Sequence, residues 1–153
     1  MKISLRGEYA LRALIVLGFN HGQAVVRIQT ISQRQNIPKR FLEQILNDLK
    51  SAGIVQSKRG VAGGYRLRKP PDQITLAAVV RHIDGMLAPV SCVSERFYEP
   101  CSCPDESRCG IRSIMKEVRE AIVKILETVT LAQVCDRYRR LQGEPVNPLD
   151  FVI

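Results

Sequence analysis

From Glu8 to Asn20 the apolar residues Tyr9, Ala10, Ala13, Leu14, Val16, Leu17 and Phe19 recur at the spacing of one helix face, and Gly18 with Gly22 marks the expected stop. Ile28 to Gln35 can form a short helix, and Asn36-Ile37-Pro38 breaks it, because proline restricts the residue before it and favours the first turn of a new helix. That next helix runs through Lys50. It places Phe41, Leu42, Ile45, Leu46 and Leu49 on a buried side, leaves Lys39, Arg40, Glu43, Gln44, Asn47 and Lys50 outside, and meets a stop at Gly53. The period then changes to two. Ile54 to Gly60 and Tyr65 to Lys69 alternate as strands around the glycine-rich turn Val61-Ala62-Gly63-Gly64.

Beyond Pro70-Pro71, Ile74 to Met86 reads as a helix with Thr75 as N-cap and Leu76, Val79, Val80 and Ile83 as its buried stripe. From Cys109 or Gly110, the residues Ile111, Ile114, Met115, Val118, Ile122, Ile125, Leu126 and Val129 keep helical spacing over about five turns. Arg112, Lys116, Glu117, Arg119, Glu120 and Lys124 fall on the outer face. So long a stripe in so short a chain calls for a partner of equal length, and the simplest is the same helix of a second copy about a two-fold axis. A short helix from Thr130 to Arg140 and a tail from Gly143 to Ile153 complete the chain.

Two short helices with a tight turn, followed by a hairpin, form the pattern of a winged helix-turn-helix. The expected fold is mainly α with a small β-hairpin wing, and a long dimerisation helix follows it. The expected division is a DNA-binding domain over 1–88, a cysteine loop over 89–109, the dimerisation helix and a short helix over 110–142, and a tail over 143–153.

Charge sharpens this picture. Residues 1–70 carry 13 Lys/Arg against Glu8, Glu43 and Asp48, a balance of +10 in a chain whose total is +8, so the remainder is at −2. A basic half joined to a nearly neutral half suits a protein that neutralises phosphates with one part only. No phosphate loop followed by Lys-Ser/Thr, no nucleophile elbow and no His/carboxylate constellation points to an enzyme. No window approaches the roughly 18 apolar residues of a membrane-spanning helix, and Met1 to Glu8 lacks signal-peptide layout, so the thiols are expected in the reducing cytosol.

Four of the five cysteines, Cys92, Cys101, Cys103 and Cys109, crowd into the stretch ahead of the long helix. Thiolates are soft ligands that suit an Fe–S cluster or zinc, and a disulfide switch is the third option. Zinc sites favour paired Cys-x₂₋₄-Cys spacings, and the gaps of eight, one and five residues match poorly. Cys135, on an apolar helix, reads as a core residue. His82 reads as structural.

Glu8-Tyr9-Ala10-Leu11-Arg12, Phe41-Leu42-Glu43-Gln44-Ile45-Leu46, the wing Lys58 to Tyr65, and Thr75-Leu76 through Ile83-Asp84-Gly85 together resemble the iron-sulfur winged-helix transcription regulators of the IscR/NsrR type. The resemblance covers nearly the whole chain except the tail. It implies a homodimeric bacterial regulator, expected to be a repressor, with a recognition helix in the major groove, a wing in the minor groove and a cluster on the cysteine loop. For base readout the residue chemistry nominates Glu43 and Gln44, and for phosphate contact Lys39, Arg40 and Lys50. Lys58, Arg59, Gly60, Gly63 and Gly64 form the wing, where Arg59 suits a narrow minor groove.

In that family three loop cysteines lie about five residues apart, and Cys103-x₅-Cys109 reproduces the second interval but not the first. The resemblance therefore implies Cys92, Cys103 and Cys109 as ligands, with Cys101 an alternate ligand or a resolving thiol. It implies an Fe–S cluster, 2Fe–2S ahead of 4Fe–4S, with zinc as the alternative. Some members place a histidine three residues after the last cysteine, where Arg112 stands here; others use an acidic residue near the partner's N-terminus, where Glu8 stands. The alternative functions are a thiol-redox, zinc-dependent or cofactor-free winged-helix regulator, and then a redox or metal protein that binds polyanions nonspecifically.

Overall fold

In a computed structural model that describes residues 1–143, α1 spans Leu5–Phe19 and starts earlier than the apolar spacing marks. The reason is a cap. The Ser4 hydroxyl accepts from the Gly7 amide at 3.0 Å, while the Asp84 carboxylate accepts from the Ser4 amide at 2.9 Å and from its hydroxyl. A carboxylate beside the first turn also suits the positive end of the helix dipole. The tail from residue 144 onward lies outside the described residues.

α2 (Ile28–Gln35) ends on Asn36 in the left-handed region at φ 51°, and the Ser32 hydroxyl donates to the Ile37 carbonyl at 2.6 Å across the turn. α3 (Lys39–Ser51) follows Pro38 and drives Leu42, Ile45, Leu46 and Leu49 into the core, each no more than 1% exposed. Phe41, expected inside, is 43% exposed. It lies at the edge of the buried ridge, and the Arg40 guanidinium stacks on its ring, 4.8 Å from the centroid.

β1 (Val55–Lys58) and β2 (Gly64–Leu67) pair antiparallel, Val55 opposite Leu67 and Lys58 opposite Gly64. The sequence pattern missed their anchor. Val26, between α1 and α2, exchanges two hydrogen bonds with Tyr65, both at 2.8 Å, and ties the wing to the helical body. A Cβ on Gly64 would collide with the Val26 carbonyl, so the smallest residue is required where these backbones meet.

α4 (Leu76–Ile83) uses Thr75 as N-cap, its hydroxyl accepting from the Ala78 amide at 3.2 Å. It stops short of the expected Met86, because Asp84 turns to α1 and Gly85 takes φ +82°. α5 (Gly110–Thr128) leads into α6 (Leu131–Leu141), which opens on a capping box between Thr130 and Gln133. The Leu131 amide bonds the Ile74 carbonyl at 2.8 Å and the Leu76 amide bonds the Val129 carbonyl at 3.0 Å, so α6 folds back onto α1. There Leu131 and Cys135 join the core of Ala10, Ala13, Leu14 and Leu17.

α1 ends between Gly18 and Gly22, as those glycines announce, and Gly18 has a second use. A Cβ there would stand 2.7 Å from the Cys135 sulfur, so this glycine makes room for α6. Cys135 is 4% exposed, and burial pushes its thiol up to about 11.

α5 behaves differently. None of its residues is buried. Met115, Val123 and Leu126 rest on small clusters containing Ala77, Val80, Leu87, Ala88, Cys92 and Val93. Ile111, Ile114, Val118 and Ile125 stay 73%, 54%, 39% and 60% exposed along another face. Arg112 and Arg119, expected outside, turn toward the loop between α4 and α5, because Glu106 and Glu95 wait there.

Candidate nucleic-acid interface and thiol site

The core takes Leu42, Ile45, Leu46 and Leu49 of α3, and that fixes what faces outward. Lys39, Arg40, Glu43, Gln44, Asn47 and Lys50 are all exposed. The Lys50 ammonium reaches the Ser57 hydroxyl of β1 at 3.4 Å and joins the end of this stripe to the wing. At the wing tip Lys58, Arg59 and Gly60 are exposed, with Gly60 at φ +105°, and Val61 is 97% exposed. Gly63 and Gly64 are half-buried and pass close to backbone, so they shape the wing. Arg27, which sequence reasoning passed over, donates to the Val61 carbonyl at 3.5 Å. His82 hydrogen-bonds the Asp48 carbonyl at 2.8 Å and links α4 to the end of α3. Helix stripe and wing form one cationic, hydrogen-bonding surface of the kind that follows a groove and its phosphates.

The cysteine loop gathers its four thiols around the start of α5. Cys92 is buried in the short turn Ser91–Val93, Cys101 is half-buried, Cys103 is exposed, and Cys109 is the N-cap of α5. The Cys103 and Cys109 sulfurs are 4.0 Å apart. Two thiolates on one tetrahedral metal, with bonds near 2.3 Å, would be about 3.8 Å apart. Among the described residues, no three His, Cys, Asp or Glu side chains yet surround a single metal position. The donor set therefore fits a thiophilic metal or cluster in kind and in its closest spacing, that of Cys103 and Cys109.

The thiols form a proton-sharing chain. Cys101 is lowered from the ordinary thiol range by the hydrogen bond from Cys103, and Cys103 is pushed up to about 12 by that same bond and by Cys109. Cys92 is raised by burial and then by Cys101. The sulfur–sulfur contacts thus favour the thiolate at Cys101 over Cys103, a bias its position in the sequence did not suggest.

Arg112 organises this group. Its amide bonds the Cys109 sulfur at 3.4 Å, its Nε donates to the Cys92 carbonyl at 3.2 Å, and it pairs with Glu106 at 3.0 Å. Glu106 in turn accepts from the Tyr98 hydroxyl at 2.7 Å and holds that phenol above its ordinary range. The available signal was position: a residue three after a capping cysteine presents its amide to the sulfur. Glu8 is exposed on the first turn of α1 and pairs with Arg12 at 3.3 Å, and none of its contacts is to a cysteine.

Fold and surface together define a winged helix-turn-helix regulator. A family profile described as "Rrf2: Iron-dependent Transcriptional regulator" matches residues 3–137, and the chain belongs to this family of transcriptional regulators. An rrf2-like HTH-type transcriptional regulator of Rhodobacter capsulatus is 41% identical over 133 residues, covering 84% of this chain and 89% of the relative. The HTH-type transcriptional regulator CymR of Bacillus subtilis is 34% identical over 131 residues, covering 86% and 87%. The solved structure of that CymR, described as the global cysteine regulator, superposes with TM-score 0.76 at 31% identity over 90% of this chain and 98% of that one. A T. potens IscR structure shares the fold at TM-score 0.73 and 24% identity, over 99% and 97%. These relatives are named as regulators, and this chain is a regulator rather than an enzyme. No helix among the described residues is long and apolar enough to cross a membrane.

Proposed function

We propose that the chain is a cytoplasmic, homodimeric repressor whose operator binding is set by an Fe–S cluster on the loop over 89–109. The observation that carries this reading is the line of four thiols at the root of α5, the one long helix here with an uncovered apolar face. In this reading Cys92, Cys103 and Cys109 hold the cluster, Cys101 serves as alternate ligand or resolving thiol, and Glu8 of the partner supplies an exchangeable carboxylate. A bound cluster supplies sensitivity to oxidants or nitric oxide. Residues 1–88 bind DNA, and 110–142 join the two copies. Glu43 and Gln44 read bases, Lys39, Arg40 and Lys50 hold phosphates, and Lys58, Arg59, Gly60, Gly63 and Gly64 carry the wing into the minor groove.

Arg112 links loop to helix, so a change at the thiols is passed to α5 and across the two-fold axis. Anaerobic purification with iron and sulfide analysis, followed by binding of loaded and metal-free protein to a genomic fragment library, tests the proposal. Brown protein whose operator affinity changes on cluster loss is the expected result. Operator binding indifferent to replacement of all four cysteines would overturn it. The 4.0 Å approach of Cys103 to Cys109, with the likeness to CymR, favours one second reading, a cofactor-free thiol switch. That reading predicts colourless, metal-free protein whose DNA binding is lost to a mild thiol oxidant and restored by a reductant.

A further inference from the structure

Away from the thiols, three guanidinium groups converge on one hollow. Arg81 from α4, Arg119 from α5 and Arg96 from the loop line a cavity of about 260 Å³, together with Gly85, Leu87, Ser94, Glu95, Phe97, Val123 and Glu127. Phe97 closes one side by packing on Gly85, where an added Cβ would lie 3.1 Å from the ring. At roughly 30 Å³ per water the space suits a small ligand of several heavy atoms.

The electrostatics are unbalanced in a specific way. Arg81 gives one Nη to Glu127 at 2.5 Å, and Arg119 gives one Nη to Glu95 at 2.5 Å. The Arg119 side chain is 12% exposed, and its Nε is buried with no hydrogen-bond partner. Arg96 has no ion-pair partner among the described residues. Within the lining three cations thus face two carboxylates, and a third carboxylate, Glu120, stands outside it, 3.9 Å from Arg119 Nη2. Of these, Glu95 is the one most open to solvent: its side chain is 76% exposed. Arg119, Arg81 and Arg96 all hold its carboxyl below the ordinary range, so every guanidinium of the hollow acts at the point it occupies.

We propose that this hollow is a binding site for a small oxyanion, a carboxylate or phosphate group, and that Glu95 is the internal carboxylate the ligand replaces on Arg119. Guanidinium forks match both head groups in a bidentate fashion, and the exchange leaves no buried charge unpaired. An incoming anion takes the Arg119 Nη1 that Glu95 vacates and has Arg81 and Arg96 beside it in the hollow. The site touches α4, α5 and the loop three residues beyond Cys92, so its occupant contacts the DNA-binding half, the long helix and the thiol loop at once. None of the residues lining the hollow is a cysteine.

The test is a two-dimensional amide NMR titration of the full chain in chloride buffer, with inorganic phosphate and, separately, citrate as probes. Saturable shifts at Gly85, Ser94 and Phe97 are expected, and the tighter probe identifies the preferred head group. Glu95→Gln, which vacates Arg119, is expected to tighten binding roughly 10-fold, the equivalent of about 1.4 kcal/mol. Arg119→Gln is expected to abolish the shifts. Arg96→Gln, an exposed change that leaves the fold intact, is expected to weaken binding several-fold, while Lys39→Gln/Arg40→Gln on α3 leaves it unchanged. Absence of saturable shifts with both probes, Glu95→Gln binding no tighter than the parent, or equal loss from the α3 pair would each overturn the proposal.

Discussion

α3 and α5 are both amphipathic, but the chain treats them in opposite ways. α3 has 13 residues and sinks four of them, Leu42, Ile45, Leu46 and Leu49, into a core supplied by α1, α2 and the wing. α5 has 19 residues and buries none. The periodicity of the two is the same in kind, so the difference lies in what the rest of the chain brings to each face. Around α3 neighbouring elements close on the apolar side and leave an exposed polar stripe, the one proposed above for DNA. Around α5 only one flank is met, by α4 and the thiol loop, and Ile111, Ile114, Val118 and Ile125 are left exposed, the face we propose a second copy covers. One helix is finished by folding; the other keeps an apolar face that folding of the single chain does not cover.

The contrast can be broken from either side. Leu46→Ala should lower unfolding free energy by about 3 kcal/mol in chemical denaturation, because a fully buried leucine leaves a cavity. Ile114→Glu should leave far-UV circular dichroism unchanged while weakening the dimer by roughly 100-fold in sedimentation, since it places two carboxylates near a two-fold axis. A dimer as tight as the parent's would remove α5 from the interface. Gly18→Ala should cost about 1–3 kcal/mol by pressing on the Cys135 sulfur, and Cys135→Ala in the same chain should recover most of it.

Smaller effects report on the link between the two regions. Arg112→Gln removes the bond to the Cys92 carbonyl and the pair with Glu106, and should raise amide exchange over 89–109 roughly 5-fold, about 1 kcal/mol of local stability. The thiols should also separate by pH. Alkylation of metal-free protein followed by mass spectrometry should label Cys101 at lower pH than Cys103, because the thiolate is the nucleophile, Cys101 is lowered and Cys103 stands at about 12. The reverse order would mean that the proton shared by these sulfurs rests elsewhere.

Much of the α3 side was readable without a structure. The 3.6-residue repeat from Leu42 to Leu49 separates core from surface, Thr75 announces its helix, and the switch to alternation at Ile54 announces the wing. The family was legible too, from motifs spread over α1, α3, the wing and α4. The thiol loop was legible only as a composition. Spacing nominated four cysteines but could not say that Cys103 and Cys109 would stand together, that Cys101 would take the lowered pKa, or that Arg112 would bind both ends of the group.

The sequence by itself determined which residues share a face, because period and capping are local and cost nothing to specify at a distance. Only the tertiary structure decided what each face meets. Val26 pairs with Tyr65, Gly18 yields to Cys135, Phe41 stays outside under Arg40, and Arg119 turns inward to Glu95. Each of these joins residues whose encounter depends on where intervening elements carry the chain, and neither propensity nor spacing at either residue encodes that path.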